Sequence, residues 1–170
     1  MEVKRMYKEG DYVHYANSGL CKVEKVTTLD ISGADKDRLY YYLKPVDDWK
    51  STIFVPVDTR VAMRPAMTRK EADDLIDSIP DIQILWISDE KKREQAYRAK
   101  LQSMDAKDWV MIIKTLNKRK RDRMVRGRKT TSTDERYLKS AEDRLFAELA
   151  LALGRNKDDM EEYIEKRLFA

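Results

Sequence analysis

Hydrophobic periodicity changes abruptly near the dipeptide Arg64-Pro65, and this change limits the possible folds more than any other property of the chain. Before it, short apolar runs alternate with polar residues at a period of two, which is the pattern of half-buried β-strands. After it, apolar residues recur at three- and four-residue spacings, as on one face of an α-helix. The chain is therefore predicted to be an α+β protein of two domains, residues 1–65 and 66–170.

The N-terminal part is predicted to form four or five short strands. The segments DYVHYA, LCKVEKVTTL, RLYYYLK and KSTIFVPV are separated by turn sequences such as NSG and DISGADKD. In the last segment Ile53 and Val55 alternate with Phe54, so one face of the strand points inward and the other outward. Pro56 has no amide hydrogen, which favours a strand at the edge of the sheet. We expect a small β-barrel sheet of the Tudor or SH3 type.

The C-terminal part is predicted to form an all-α domain of about five helices. The sequence TRKE has the spacing of a capping box, a signal for the start of a helix. A third helix carries an apolar stripe at i, i+3, i+4 and i+7, which is typical of a helix packed on a core. The predicted boundary and stripe residues are Thr68 and Pro80 for the first helix, Ser88 as the cap of the second, Trp109, Ile112, Ile113 and Leu116 on the third, Thr133 to Leu153 for the fourth, and Asn156 as the cap of the last.

Positive charge is concentrated in the segment KTLNKRKRDRMVRGRK, from Lys114 to Lys129. It holds nine Lys or Arg residues and one acid, Asp122, so it contributes +8 to a chain whose net charge is +4. Such a local patch attracts polyanions, and nucleic acid is the partner that it favours. A solvated helical face with no partner is the alternative.

The residues of common catalytic and metal sites are scarce. Cys21 and His14 are the single cysteine and histidine, which leaves no disulfide framework and no multi-histidine metal site, and triad chemistry is not expected. The five glycines form neither GxGxxG nor GxxxxGK, so no phosphate-binding loop is expected. We predict a protein with no catalytic residues, no metal and no cofactor.

The chain shows no signal for secretion or membrane insertion. The N-terminal sequence MEVKRMYKEGDY has no apolar run of the kind found in signal peptides. No window approaches the eighteen apolar residues of a membrane span. We expect a cytoplasmic protein without membrane contact.

Four segments together resemble the CarD/CdnL family of bacterial transcription regulators. They are MYKEGDYVHYANSGLCKVEKV, STIFVPVD, AYRAKL and YLKSAEDRLFAELALALG, and the resemblance extends from about Met6 to Ile164. The N-terminal part also resembles the polymerase-binding module of transcription-repair coupling factor. That protein continues into a helicase, for which this chain has no P-loop.

The resemblance implies a function without catalysis. In the family, a Tudor-like domain binds the RNA polymerase β subunit by adding its edge strand to a strand of that subunit. The helical domain contacts promoter DNA at the upstream edge of the transcription bubble and modulates the stability of the open complex. We expect the chain to be a monomer in solution, with domain exchange between two copies left open.

Two groups of candidate residues follow. The polymerase-binding candidates are the residues of the strand expected to pair with the β subunit, together with the two positions at which relatives can present arginines. Those two positions are Leu29 and Phe54 in this chain. Basic residues that contact phosphates would position the helical domain on DNA without reading its sequence. The polymerase-binding candidates are Leu29, Thr52, Ile53, Phe54, Val55 and Pro56, and the DNA-binding candidates are Arg93, Arg98, Lys100, Lys118, Arg119, Arg121, Arg123, Arg126 and Arg128.

One expected residue is missing from the pattern. Many relatives carry a tryptophan near the start of the first DNA-binding helix, which wedges into the minor groove and holds the bubble open. Alignment on AYRAKL places that position at Arg93, which would engage the bubble edge by electrostatics instead. Trp86, seven residues upstream, is predicted to pack in the core or between the domains.

Two other functions compete with this one. A general DNA-binding or nucleoid protein would use the basic helix but not the sheet edge. A nuclease that used its carboxylates is a more distant alternative, because the acidic residues are scattered over helix faces as partners for Lys and Arg.

Overall fold

The computed structural model describes residues 6–16, 18–33 and 35–169. The chain divides into two compact units, of which the first ends at Ala66 and the second begins at Met67. The first unit is an antiparallel sheet and the second is helical, so the predicted α+β class with two domains is confirmed.

The sheet has five antiparallel strands in the order β4-β3-β2-β1-β5. Strands β4 and β5 form its two edges, which confirms the edge position predicted for the strand that contains Pro56. The strands are β1 (Tyr12–Tyr15), β2 (Gly19–Thr28), β3 (Leu39–Pro45), β4 (Ile53–Pro56) and β5 (Met63–Pro65).

Strand β5 is the one element of the sheet that has no counterpart among the predicted strands. It pairs with β1 through Val13↔Pro65, His14↔Arg64 and Tyr15↔Met63. Three residues are too few to show an alternating pattern, and the helical pattern begins directly after them. The pairing partner, rather than the local sequence, makes this segment a strand.

The core of the sheet follows the predicted period of two. Tyr41 and Leu43 on β3 are buried together with Val55 on β4, whereas the intervening side chains are more exposed. The main-chain N–H of Tyr7 donates to Oη of Tyr41 at 3.1 Å, which satisfies that hydroxyl inside the unit. Cys21 is also buried, and burial raises the pKa of its thiol to about 11, so the thiol stays protonated and unreactive at neutral pH.

Five α-helices lie in the described part of the second unit, as predicted. The capping box is present, with the hydroxyl of Thr68 accepting from the N–H of Glu71 at 3.1 Å, and Gly154 ends the fourth helix in a left-handed conformation with φ of 64°. The helices are α1 (Arg69–Ser78), α2 (Glu90–Gln102), α3 (Ala106–Val125), α4 (Ser132–Leu153) and α5 (Met160–Phe169), with 3-10 turns at Ile79–Asp81 and Lys157–Asp159.

Two predicted helix starts are displaced by one residue. Asp89, not Ser88, is the N-cap of α2, and its carboxylate accepts from the N–H of Lys92 at 3.0 Å. The fourth helix begins at Ser132 instead of Thr133, with Thr131 as the N-cap. Both sites have several adjacent residues that can cap a helix, and the local sequence cannot choose among them.

The apolar stripe on α3 packs in the core of the helical unit, as predicted. Trp109, Ile112 and Leu116 are almost fully buried, and they belong to one apolar cluster with Leu145 and Leu149 of α4. The indole N–H of Trp109 donates to the carbonyl of Leu101 at 3.3 Å, so the polar atom of this buried side chain is satisfied.

Of the two positions predicted for Trp86, in the core or between the domains, the core position is wrong. Its side chain is 79 % exposed, whereas its neighbours Leu85 and Ile87 are half-buried. The connector from residue 82 to residue 88 is neither helix nor strand, so it has no period from which the inward-facing positions could be read. Ile82 and Leu85 pack against the apolar core of the unit, and the largest side chain of the segment is left outside.

We predict that Trp109→Ala lowers the free energy of unfolding by about 3–5 kcal/mol, because it removes a buried aromatic side chain from the core. Trp86→Ala is the matched control and should change this free energy by no more than about 0.5 kcal/mol, since its indole is exposed. Urea denaturation followed by far-ultraviolet circular dichroism measures both. Equal destabilisation by the two variants would contradict the positions of the two side chains.

Candidate functional site

The outer edge of β4 offers main-chain groups for pairing with another strand. Val57 N–H donates to the carbonyl of Leu39 at 3.1 Å, and the ladder continues through the pairs Tyr41↔Val55 and Leu43↔Ile53. Because hydrogen-bonded and non-hydrogen-bonded pairs alternate in an antiparallel ladder, the N–H and C=O of Phe54 point away from β3. Among the described strands, β4 pairs with β3 alone.

Phe54 also presents an aromatic side chain at this edge. Its ring is 43 % exposed and packs edge-on against Tyr42, with the ring centroids 4.8 Å apart. The hydroxyl of Tyr42 donates to the carbonyl of Thr28 at 2.9 Å, and Lys25 Nζ lies 4.9 Å from the centre of the Tyr42 ring. These contacts hold the pair in one position, and we call Tyr42 and Phe54 the aromatic edge.

Two residues predicted for this surface do not present their side chains. Leu29 and Val55 are buried, and the main chain of Val55 faces β3 rather than the outside. The expectation that Leu29 forms an exposed apolar contact is therefore not supported by its position. Thr52, Ile53 and Pro56 are partly exposed beside the aromatic edge.

A second surface lies at the C-terminal end of α3. Arg121, Arg126 and Arg128 are exposed, and we call these three residues the arginine tip. Within the described part of the chain, their guanidinium groups make no hydrogen bond or ion pair, and the charges of Arg121 and Arg126 contribute to lowering the pKa of the nearby Asp122. These three cations are available to an anionic partner.

Other predicted DNA contacts are engaged inside the unit by weak surface interactions. They share ion pairs or hydrogen bonds with nearby acids or main-chain carbonyls, and a phosphate group could replace the exposed ones at low cost, whereas the pair of Lys100 with Asp108 is partly buried. The interactions are Arg98 with Glu94 at 3.7 Å, Lys100 with Asp108 at 3.2 Å, Lys118 with Asp122 at 2.8 Å, and Arg123 Nε with the carbonyl of Lys129 at 2.8 Å. The hydrogen bond from Lys118 lowers the pKa of Asp122, which keeps this acid charged at neutral pH.

Arg119 differs from the other cations because its partner is buried. Its Nε lies 2.9 Å from Oδ2 of Asp134, whose side chain is only 5 % exposed. The N–H of Asp134 in turn donates to the hydroxyl of Thr131, the N-cap of α4. The pair therefore ties α3 to the first turn of α4, and the structure does not support the expectation that Arg119 contacts DNA.

Arg93 is also directed inward. Its Nη1 donates to the carbonyls of Ile87 and Ser88, at 3.2 and 3.4 Å, so the guanidinium group lies against the connector that precedes α2. The exposed aromatic side chain of this region is Trp86, three residues before the N-cap Asp89. The structure therefore does not support the expectation that Arg93 is the exposed group at the start of α2. The signal that sequence reasoning missed is a large apolar residue directly before a helix start.

The described residues contain neither a metal-binding cluster of side chains nor a membrane-spanning helix. No group of three or more His, Cys, Asp or Glu side chains is arranged to hold a metal ion there. In the same part of the chain, no helix is long and apolar enough to cross a membrane.

Comparison with protein families gives two matches that follow one another along the chain. Residues 7–67 match the family model of the CarD-like/TRCF RID domain, which covers the sheet unit. Residues 87–165 match the model of the CarD C-terminal domain, which covers α2 to α4 and most of α5. No curated protein matches the chain.

We predict that Arg119→Ala lowers the free energy of unfolding by about 1–3 kcal/mol, because it leaves the buried carboxylate of Asp134 without its cation. Arg121→Ala removes the same charge two residues away on the surface and should change this free energy by no more than about 0.5 kcal/mol. Urea denaturation of the two variants provides the comparison. An unchanged stability of Arg119→Ala would show that the pair has no structural role.

Proposed function

The chain belongs to the CarD family, whose domains are those of RNA-polymerase-interacting transcription factors, and we propose that it bridges the polymerase β subunit and promoter DNA. It acts at the upstream edge of the transcription bubble and changes the lifetime of the open complex. It does so in the cytoplasm as a monomer, without a cofactor and without catalysing a reaction. Each unit supplies one binding surface for this role.

The sheet unit binds the β subunit through the outer edge of β4. An added strand gains affinity from main-chain hydrogen bonds, and alternate side chains provide specificity. The outward main-chain groups of Phe54 and the ring of the same residue serve these two purposes at one position. Within the aromatic edge, the ring of Phe54 is held in place by Tyr42 before binding, which reduces the entropy lost on association.

The helical unit engages the bubble edge through Trp86. One observation supports this more than any other: the indole is 79 % exposed, although burial of a tryptophan side chain would stabilise the fold. Apolar side chains of this kind can enter an unstacked base step and keep it open. Unstacking costs a few kcal/mol per step in free DNA. Trp86 thus takes the role that alignment on AYRAKL assigned to position 93.

The arginine tip attracts and positions the duplex. Contacts between guanidinium groups and phosphates carry no sequence information, which suits a factor that acts at many promoters. Their strength depends on salt, because each neutralised phosphate releases a counterion. Arg121, Arg126 and Arg128 can form such contacts without first giving up an ion pair within the described unit.

Open-complex lifetime is the measurement that tests this function. We expect Trp86→Ala to shorten the lifetime conferred by the protein about tenfold, because an alanine cannot fill an unstacked step. Phe169→Ala is the matched control, since this aromatic side chain is 81 % exposed in the same unit. An unchanged lifetime with Trp86→Ala would exclude the wedge role.

Binding to an isolated β-subunit fragment tests the aromatic edge. Phe54→Ala should weaken binding about 5- to 30-fold, as expected for the loss of an aromatic interface residue. Tyr12→Ala, on β1 and separated from β4 by the two strands β3 and β2, should leave the affinity unchanged. Capture of the fragment that is insensitive to Phe54 would contradict the role of the aromatic edge, and no capture at all would favour a DNA-binding protein that does not contact the polymerase.

Salt titration tests the arginine tip. Replacing Arg121, Arg126 and Arg128 with Gln should weaken duplex binding and reduce the slope of log K against log salt by about 3, at roughly 0.9 per phosphate. A control with Lys70, Lys157 and Lys166 changed to Gln removes the same charge from residues paired with acids elsewhere. An equal loss of duplex affinity in both variants would mean that binding depends on the net charge of the protein and not on the position of the arginine tip.

A further inference from the structure

Trp86 lies on a segment that has no regular secondary structure. The connector from residue 82 to residue 88 lies between the 3-10 turn Ile79–Asp81 and α2. A side chain that enters the gap between two DNA base pairs must be held in a fixed position by the main chain, since a small misplacement of a positioned group can remove much of its effect on the reaction or complex. The main chain around Trp86 is therefore expected to be held by other residues, and the contacts on both sides show how.

On the N-terminal side, the connector is attached to α3. The N–H of Leu85 donates to the hydroxyl of Thr115 at 2.9 Å, and this hydroxyl donates to the carbonyl of Met111 at 2.7 Å. Thr115 is buried among the residues of the packed stripe of α3. The residue directly before Trp86 is thus linked to a helix whose apolar stripe is packed in the core of the unit.

On the C-terminal side, the connector is attached to α2 by Arg93. Its Nη1 donates to the carbonyls of Ile87 and Ser88, the first two residues after Trp86. Hydrogen bonds from a charged donor are stronger than those between neutral groups. Arg93 itself is fixed by the first turn of α2, where its N–H donates to the carbonyl of the N-cap Asp89 at 2.9 Å.

A cavity lies beside the connector, so the hydrogen bonds from Arg93 and to Thr115 are needed to keep this segment in place. The cavity has a volume of about 190 Å³, and its lining includes Trp86, Ile87 and Arg93 together with Thr115 and Arg119 of α3. Apolar packing alone does not fill this side of the connector, and segments with few packed contacts open most easily. Without its hydrogen bonds, the segment has space into which it can move.

We propose that Arg93 is a positioning residue for Trp86: it holds the two carbonyls that follow the indole, while Thr115 holds the amide that precedes it. This rests on the proposed wedge role of Trp86 and adds the device that keeps the wedge in place. The contribution of Arg93 to the open complex is therefore made through the connector and not through a phosphate.

The first measurement concerns the free full-length protein. The chain has three tryptophans, and ¹⁵N relaxation of the Trp86 indole N–H, assigned by its loss in Trp86→Phe, reports the order of this side chain. Arg93→Ala should lower its order parameter from near 0.8 to about 0.6 or below. Arg98→Ala, which removes an exposed arginine of the same helix, should leave it unchanged. An indole that is as ordered in Arg93→Ala as in the wild type overturns the proposal.

The second measurement is the lifetime of the open complex. Arg93→Ala should shorten it about 2- to 10-fold, the range expected for one or two hydrogen bonds, with an unchanged dependence of DNA binding on salt. Thr115→Val removes the other anchor without changing any charge, and it should loosen the indole and shorten the lifetime in the same way. A salt slope reduced by one contact in Arg93→Ala, together with a wild-type lifetime for Thr115→Val, overturns the proposal in favour of a phosphate contact.

Failure of this proposal is distinguishable from failure of the proposed function. A Trp86→Ala variant with a wild-type lifetime removes the wedge, and with it the functional role of Arg93. A shortened lifetime for Trp86→Ala combined with an unchanged indole order in Arg93→Ala removes the positioning role alone.

Discussion

The packing of α3 is the constraint on which the helical unit depends. The first half of this helix is held in the core by Trp109, Ile112 and Leu116. The arginine tip lies at the other end of the helix, where the side chains are exposed. Helix periodicity does not allow the two halves to rotate independently. Burial of the stripe therefore decides which direction Arg121 faces, whereas Arg126 and Arg128 follow the end of the helix at Val125. It also supplies Thr115 as an attachment point for the connector.

Charge on this unit is divided between structural and exposed roles. Two arginines form internal hydrogen bonds: Arg119 donates to a buried carboxylate, and Arg93 donates to main-chain carbonyls. Arg121, Arg126 and Arg128 lie only a few residues from Arg119, yet they remain unpaired within the described part of the chain. A high density of arginine in a sequence thus overstates the charge that a partner can meet, because short-range partners neutralise some members of the run.

The sheet unit meets a different physical requirement. An edge strand leaves main-chain donors and acceptors unpaired, and such edges tend to aggregate unless something limits access to them. Here β4 has only four residues, and Pro56 removes one donor, so the free edge is short. The aromatic edge adds a recognisable side chain to the outward main-chain groups of Phe54. A short edge of this kind is suited to pairing with one specific strand.

The sequence alone determined the elements whose signals are local and repeated. The two periods separated the sheet from the helices, the capping box located α1, Pro56 indicated an edge strand, and the charge run marked α3. Only the tertiary structure decided the rest. Strand β5 exists because β1 lies beside it, and Arg119 is removed from the exposed set because Asp134 is buried next to it. No local period specifies which side chains of the irregular connector face outward, and the connector is held at Leu85 by Thr115, which is 30 residues away, while Trp86 is left outside. Arg93 is turned inward because it donates to main-chain carbonyls of that connector.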